Sequence, residues 1–442
     1  MTSRTLFHAL GALVVSTLGV AHAQPAPPPP VEPTHSDPAP PPASTDSPPP
    51  APASAAPGQT IPSPEPAGSP EIAKPTRAAA PAQPYQPLTH RIGDGSVTLY
   101  GDLDLYLNYM HSTSGKDIFA LQDGAILRSR LGLKGDMDLG HGFRGDFAFE
   151  QGVNATSGAP ADATRLFDRL AWAGLVTPIG EFRVGRQNTE VFQRGGYIDY
   201  GERTLGAVIN AFGVPSRYDS DLSYIAPRAF GLLFAAHYSL QGAVVDHPAE
   251  QRVYQLALDY QRGPFRIGYA RVAGKPPTGA AVHAEVTYDN FYANYDYGPG
   301  KAYLVYIRSN NNGPSGDLLN GASPLGNTGT LITGMDAGAN TTYNIYQASA
   351  DYSVTSALRV GGLYGWIRDD SGTAKNATGG SIGAFYVYKN FKPFLIADLL
   401  SNSRNAGFRP IGSAGLTKPF TAAADVNGET IVGIHLGFVF RF

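Results

Sequence analysis

From residue 96 onward the chain alternates apolar and polar positions with a period of two. Val97, Leu99, Leu103, Leu105, Leu107 and Tyr109 are separated by Thr98, Tyr100, Asp102, Asp104, Tyr106 and Asn108. Successive side chains of a strand point to opposite faces, so this segment has one oily face and one wet face. The C-terminal segment repeats the pattern: Val432, Ile434, Leu436, Phe438, Phe440 and Phe442 share one face, and Gly433, His435, Gly437 and Arg441 the other. Read this way, the chain predicts sixteen strands at 96–110, 123–138, 143–153, 165–177, 181–187, 216–227, 230–239, 252–262, 265–273, 283–297, 301–310, 341–353, 357–368, 380–389, 391–403 and 429–442. Short connections at 140–142, 178–180, 263–264, 298–300 and 354–356 contrast with long, polar, Gly/Asn-rich ones at 111–122, 154–164, 188–215, 311–340 and 404–428. Short turns on one side and long loops on the other are what a membrane barrel shows. The predicted fold is all-β: a 16-stranded antiparallel transmembrane β-barrel over residues 93–442.

A soluble sandwich produces the same per-strand pattern with its apolar faces turned inward. Three features favour the membrane. Aromatics gather near strand ends, as in Tyr288, Phe291, Tyr292, Tyr295 and Tyr297, or Tyr386, Tyr388, Phe391 and Phe394, which suits interfacial girdles. Charges sit in mid-strand on the polar faces, where a wet lumen tolerates them. A sixteen-stranded barrel is also too wide to fill with wall side chains.

The N-terminus changes the picture twice. Arg4, the apolar run from Ala9 to Val20 and Ala21-His22-Ala23 read as a cleavable signal peptide over residues 1–23, implying export. Residues 24–92 are Pro/Ala-rich and hold 23 of the 37 prolines, a composition that cannot bury enough apolar surface to order itself. This predicts a disordered extension, either a passive spacer or a tether reaching toward peptidoglycan. The net charge of −3 argues against a nucleic-acid partner, and the absence of cysteine removes thiolate nucleophiles and Cys-ligated metals.

Candidate chemistry concentrates on the polar faces of the early strands. Arg128 and Arg130 share the inward parity of the second strand, with Leu127, Leu131 and Leu133 outward. Arg165 and Arg169 follow on the fourth, with Leu166, Leu170 and Trp172 outward, and Arg183 lies on the fifth. They predict a basic wall with more arginines than local acids neutralise. The adjoining connection, 188–215, carries Glu190, Asp199 and Glu202. Folded inward, it would set acids against arginines across a narrow gap, a field that sorts solutes by size and charge. An enzyme is not indicated. Gly379-Gly-Ser381-Ile-Gly383 fits a nucleophile elbow, but a strand follows it where a helix is required. The histidines are scattered without metal-ligand spacing, and His435 reads as a solvated wall residue; no cofactor or metal is expected.

Ser96-Val-Thr-Leu-Tyr-Gly101, Ser129-Arg-Leu-Gly-Leu-Lys-Gly135, Arg165-Leu-Phe-Asp-Arg-Leu-Ala-Trp-Ala-Gly-Leu175 with Gly180-Glu-Phe-Arg-Val-Gly-Arg186, and a terminal Phe442 form an ordered set. With these, residues 96–442 resemble the general porins of Gram-negative bacteria, particularly the β-proteobacterial branch. The resemblance implies an outer-membrane homotrimer of sixteen-stranded barrels that passes small hydrophilic solutes and ions passively. It implies an in-folded third loop whose acids, by position Asp199 and Glu202, face a basic wall of Arg128, Arg130, Arg165, Arg169 and Arg183. It also implies that Phe442 belongs to a C-terminal signature read by barrel-assembly machinery. The Pro-rich extension departs from the family pattern. Two other readings stay open: a selective channel for phosphate or dicarboxylates, and a structural link between outer membrane and cell wall.

Overall fold

The computed structural model describes residues 87–442 apart from 204, 241–252, 275–284, 311–341, 371, 373, 415 and 417. The signal and most of the Pro-rich extension lie outside the described residues, as do the expected loop 311–340 and the expected strand ends at 252, 283–284 and 341.

The described residues form eighteen strands: β1 (Leu88–Ile92), β2 (Gly95–Ser112), β3 (Asp117–Asp123), β4 (Arg130–Gly140), β5 (Phe143–Gly152), β6 (Leu170–Thr177), β7 (Gly180–Asn188), β8 (Arg217–Ile225), β9 (Leu232–Ser239), β10 (Val253–Arg262), β11 (Phe265–Gly274), β12 (Val286–Asp296), β13 (Lys301–Ser309), β14 (Tyr343–Ser353), β15 (Leu358–Asp369), β16 (Ala377–Tyr386), β17 (Phe391–Asn402) and β18 (Thr430–Arg441). All pairings are antiparallel and, apart from β2 with β4, join sequence neighbours until β18 returns to pair with β2. β3 and β4 both pair with β2, one above the other, and act as a single interrupted wall strand. β1 pairs only with the first residues of β2, so the closed barrel has sixteen strands. Among the described residues no helix is long and apolar enough to cross a membrane; the strands do so, with every ladder satisfied in a closed ring.

The faces are inverted relative to a soluble protein. On β2, Leu103, Leu107 and Tyr109 are exposed, whereas Asp102, Asp104, Asn108 and Ser112 are buried. On β18, Val432, Ile434, Leu436 and Phe440 are exposed and His435 is fully buried. An apolar exterior around a polar interior is the membrane arrangement, which the alternation alone left undecided.

Several expectations shift. The second wall strand does not start at 123. β2 and β3 form a hairpin through what was expected to be a loop at 111–122, and the wall breaks at 124–129 instead. There the Asp104 carboxylate accepts the N–H groups of Ile126 and Leu127, each at 2.7 Å, in place of ladder bonds. Leu127 consequently packs inward rather than toward lipid. β6 begins at Leu170, not 165, and Trp172 has the lumen parity, its ring lying beneath the Arg183 guanidinium at 4.2 Å; Ala171 and Ala173 face out, paired with Phe149 and Phe147. Tyr288, Tyr292 and Phe394 are buried inside, whereas Phe291, Tyr295, Tyr297, Tyr386, Tyr388 and Phe391 are exposed as girdle residues. His435 is no solvated wall residue: its Nε2 lies 2.9 Å from Asp398.

Candidate functional site

The connection between β7 and β8, described apart from residue 204, runs through the barrel interior. Its neck is closed by Thr189, whose N–H donates to Ser216 O (2.9 Å) and whose hydroxyl donates to Pro215 O (2.7 Å). The same hydroxyl accepts from Phe192 N (3.1 Å), capping a one-turn helix α1 (Glu190–Gln193) as threonine commonly does. A 3₁₀ turn follows at Arg194–Tyr197. A second short helix, α2 (Val208–Phe212), is apolar except for Asn210 and buried along its length.

The far wall receives this loop through specific groups. Asn294 on β12 donates to Tyr197 O (3.0 Å), and the Arg266 guanidinium covers the Tyr197 ring at 3.2 Å. Gln347 on β14 bridges two parts of the loop: its amide nitrogen donates to Asp199 (3.1 Å) and its oxygen accepts from Val208 N (3.0 Å). The Tyr200 hydroxyl lies 3.0 Å from Ser381 Oγ on β16. Its ring occupies the space a Cβ would need at Gly361, and its hydroxyl comes within 3.0 Å of that position at Gly383. Only glycine lets the loop approach so closely. α2 seats Phe212 among Tyr288, Tyr343 and Phe408.

Asp199 and Glu202 have different roles in this geometry. The Asp199 carboxylate accepts from Gly201 N and Arg203 N, each at 2.9 Å, and is buried; burial pushes it above the usual carboxylate range. It shapes the turn. Glu202 and Arg203, at that turn, both hold left-handed backbones, with φ of 63° and 60°. Such conformations are costly away from glycine and concentrate at functional positions. Glu202 lies 3.7 Å from Arg359 on β15 and 3.9 Å from Lys392 on β17. Burial works to raise its carboxyl, but the charges of Lys392 and Arg359 outweigh it and hold it below the usual range. The acid therefore faces β15 and β17, not the early strands.

The expected basic wall is present but largely neutralised. Arg128 lies 3.7 Å from Asp168, Arg130 2.6 Å from Asp102 and 3.4 Å from Glu150, and Arg165 2.8 Å from Asp219. Arg169 is 2.5 Å from Glu150, and Arg183 pairs with Glu181. Arg165 and Arg169 belong to the connection preceding β6 rather than to a strand. The expectation that these arginines outnumber their acids fails because Asp102, Glu150, Asp168, Glu181 and Asp219 interleave with them. Phe442 closes the ring: its N–H donates to Gly101 O (3.1 Å), its carbonyl accepts from Gly101 N (2.9 Å), and its ring fills the space above Gly101.

Sequence reasoning missed other members of the site. Glu190 at the loop root is buried, ion-paired with Arg194 and 3.1 Å from His237 Nε2; the other ring nitrogen of His237 lies 2.7 Å from Asp221. Among the described residues Arg203 and Arg217 have no ion-pair partner; they flank the Phe192 ring at 4.1 and 4.8 Å. Burial pulls Arg203 down to about 10. Arg359, Lys392 and Gln347 carry the inward parity of β15, β17 and β14, so the rule applied to the early strands would have found them.

An apolar-outside barrel whose interior is crossed by one folded loop defines a membrane channel. Residues 73–390 match the Gram-negative porin family, and the chain belongs to that family as an outer-membrane porin. An outer membrane porin of Bordetella pertussis is 28% identical over 247 residues, covering 48% of this chain and 64% of that protein. The major outer membrane protein P.IB of Neisseria meningitidis is 25% identical over 311 residues, 65% of this chain and 92% of that one. Among solved structures, an anion-selective porin from Comamonas acidovorans superposes with a TM-score of 0.62 at 19% identity, covering 79% of this chain and all of that one. OmpF of Salmonella typhi gives 0.55 at 17%, covering 80% and 100%. At these identities the structures attest the fold.

Proposed function

We propose that the barrel is a water-filled channel for passive diffusion of small hydrophilic solutes and ions, narrowed by the loop between β7 and β8. The observation that carries this reading is the burial of that loop across the lumen, with Glu202 set between Arg359 and Lys392 and the arginine–acid wall of β4–β8 facing the remaining opening. In this reading the channel works as a homotrimer in the outer membrane, reached through a cleaved signal peptide and inserted by assembly machinery that reads Phe442. Catalysis has no part in it: Ser381 of the Gly-rich motif sits in mid-strand and serves Tyr200.

Single-channel recording in planar bilayers tests the proposal. Expected are large ohmic steps in groups of three. Glu202→Gln should move the reversal potential in a salt gradient toward anions, because it removes the acid shared by Arg359 and Lys392, and only Arg359 keeps a second one, Asp351 at 3.3 Å. Folded protein without conductance overturns the reading.

A selective anion channel is the second reading, favoured by Arg203 and Arg217, which flank Phe192 and have no ion pair among the described residues. Saturating phosphate flux, abolished in Arg217→Gln, would establish it; flux linear in concentration would reject it.

A further inference from the structure

The lumen wall of β2, β4, β5 and β6 carries a separate cluster toward the short turns. Lys134 on β4 is the register partner of Ala148 on β5, and Ala148 is that of Trp172 on β6. All three have the lumen parity, and Ala148 lies buried at the bottom of the row. Neighbouring strands are about 4.8 Å apart, so Lys134 and Trp172 stand roughly 10 Å apart with one methyl group between them. Each end of the row is a cation set on a ring. The Arg183 guanidinium lies 4.2 Å from the centre of the Trp172 ring, and the Lys134 amine 5.7 Å from the centre of the Tyr100 ring. The Tyr100 ring leans over Gly132, filling the space a Cβ would need, and its hydroxyl donates to Glu150 at 2.9 Å. Lys134, Tyr100 and Trp172 are all partly exposed.

Lys134 differs from the arginines of this wall in keeping its charge. The acids nearest to it are engaged elsewhere. Glu150 is held by Arg130 (3.4 Å) and Arg169 (2.5 Å), and Asp136 accepts from the Ser96 hydroxyl (2.6 Å). Asp146 lies over Gly174 beside the Arg183 stem. Among the described residues Lys134 has no ion pair. An ammonium resting on a ring is partly stripped of water and attracts an anion. A compact point charge suits a single carboxylate, whereas a phosphate is better served by the guanidinium forks elsewhere on the wall. The rest of the row selects the body of that anion. With one face under Arg183, the indole leaves the other to a guest, and rings pair with it in offset or edge-to-face contact. A flat, conjugated body lying over Ala148 therefore uses the amine and the indole together.

We propose that Lys134, Tyr100 and Trp172 form a binding site on the pore wall for aromatic monocarboxylates, of which benzoate is the simplest. The carboxylate meets the Lys134 amine, and the ring lies over Ala148 against Trp172. The site rests on the reading of the barrel as a water-filled channel and adds a substrate class to it.

Trp172 and Trp366 are the two tryptophans of the chain, and Trp366 is exposed on the outer wall. Trp366→Phe therefore leaves Trp172 as the single indole reporter. The full chain carrying it is titrated in neutral detergent with 4-nitrobenzoate, which quenches indole fluorescence. Benzoate, cyclohexanecarboxylate, benzyl alcohol and inorganic phosphate then compete for the site. Benzoate should displace the quencher at concentrations about tenfold lower than any of the other three. Lys134→Gln in the same background should raise the benzoate needed by about tenfold, and Lys134→Arg should recover most of the loss. In planar bilayers benzoate should block the KCl current more strongly than cyclohexanecarboxylate, and Trp172→Leu should erase that difference. Heat-resistant migration of each variant excludes misfolding as the cause. Equal displacement by benzoate and cyclohexanecarboxylate, displacement by phosphate or benzyl alcohol as effective as by benzoate, or unchanged binding in Lys134→Gln would each overturn the proposal. KCl current without any aromatic preference sinks the site and leaves the pore, whereas Lys134-dependent quenching in a protein that passes no current sinks the pore reading and leaves the site.

Discussion

At the scale of single residues the loop is held by a buried charge cluster at its root. Glu190 faces both Arg194 and His237, and His237 is also shared with Asp221. Burial tends to raise the Glu190 carboxyl, but Arg194 and His237 outweigh it and pull it down to about 2. A carboxyl with a depressed folded-state value contributes stability that is complete above its ordinary value and lost as pH falls through the depressed one. The loop should therefore stay seated from neutral pH through the usual carboxylate range and loosen only as pH approaches about 2. Glu190→Gln removes the anion and breaks the buried ion pair with Arg194, a change that typically costs about 3–5 kcal/mol. The variant should show flickering open-channel current already at neutral pH, whereas the wild-type trace becomes noisy only in strong acid. Equal noise in both proteins at pH 7 would refute this role for Glu190.

At the scale of elements the question is what holds a 28-residue excursion (189–216) inside a barrel. α2 is too short to be stable alone, so its order comes from Phe212 among Tyr288, Tyr343 and Phe408 and from Gln347 at its first turn. Phe212→Ala should cost about 3–5 kcal/mol of docking free energy. Because the wall ladders do not depend on it, the barrel should keep its heat resistance while single-channel conductance rises and becomes irregular. A variant that loses heat resistance would show instead that the loop supports the wall. These contacts also show which parts were legible in the sequence. Fifteen of the wall strands follow from period-two alternation because each lies between oil and water along its whole length. The remaining one, β3 with β4, is broken by Asp104, a side chain about twenty residues away that takes backbone donors no local pattern reveals. Alternation also assigns faces only relative to a correctly chosen parity. Trp172 shares the parity of Leu166 and Leu170 and so reads as outward, yet Ala171 and Ala173 hold the lipid face beside Phe149 and Phe147. Likewise Tyr288 and Tyr292 resemble girdle residues until the loop that covers them is placed. The arginines were legible as residues, but their neutralisation was not, since Glu150 serves both Arg130 and Arg169 from a neighbouring strand.

At the scale of the whole molecule, closure is completed by the meeting of the two ends of the barrel sequence. β18 pairs with β2 only from Asp102 upward, and Phe442 seals the step at Gly101. Below that point the edge of β2 would be bare, and an unpaired edge invites association with other chains. β1 occupies it, pairing Leu88 with Leu99 and Ile92 with Gly95. The cap on this edge therefore begins at residue 88, whereas the Pro-rich stretch before it lacks the apolar content to contribute. Removing residues 24–86 from the exported protein should leave conductance, heat resistance and oligomer size unchanged. Extending the deletion through β1 should leave the pore level intact but raise the aggregated fraction during refolding, because Gly95 to Leu99 then lose their partner. Co-sedimentation with peptidoglycan, measured on the shorter deletion, separates the two roles left for the extension. Loss of binding with conductance preserved makes it a tether, and retention of both makes it a spacer. A change in conductance on removing 24–86 would contradict the division drawn here, since it would place part of the extension in the permeation path.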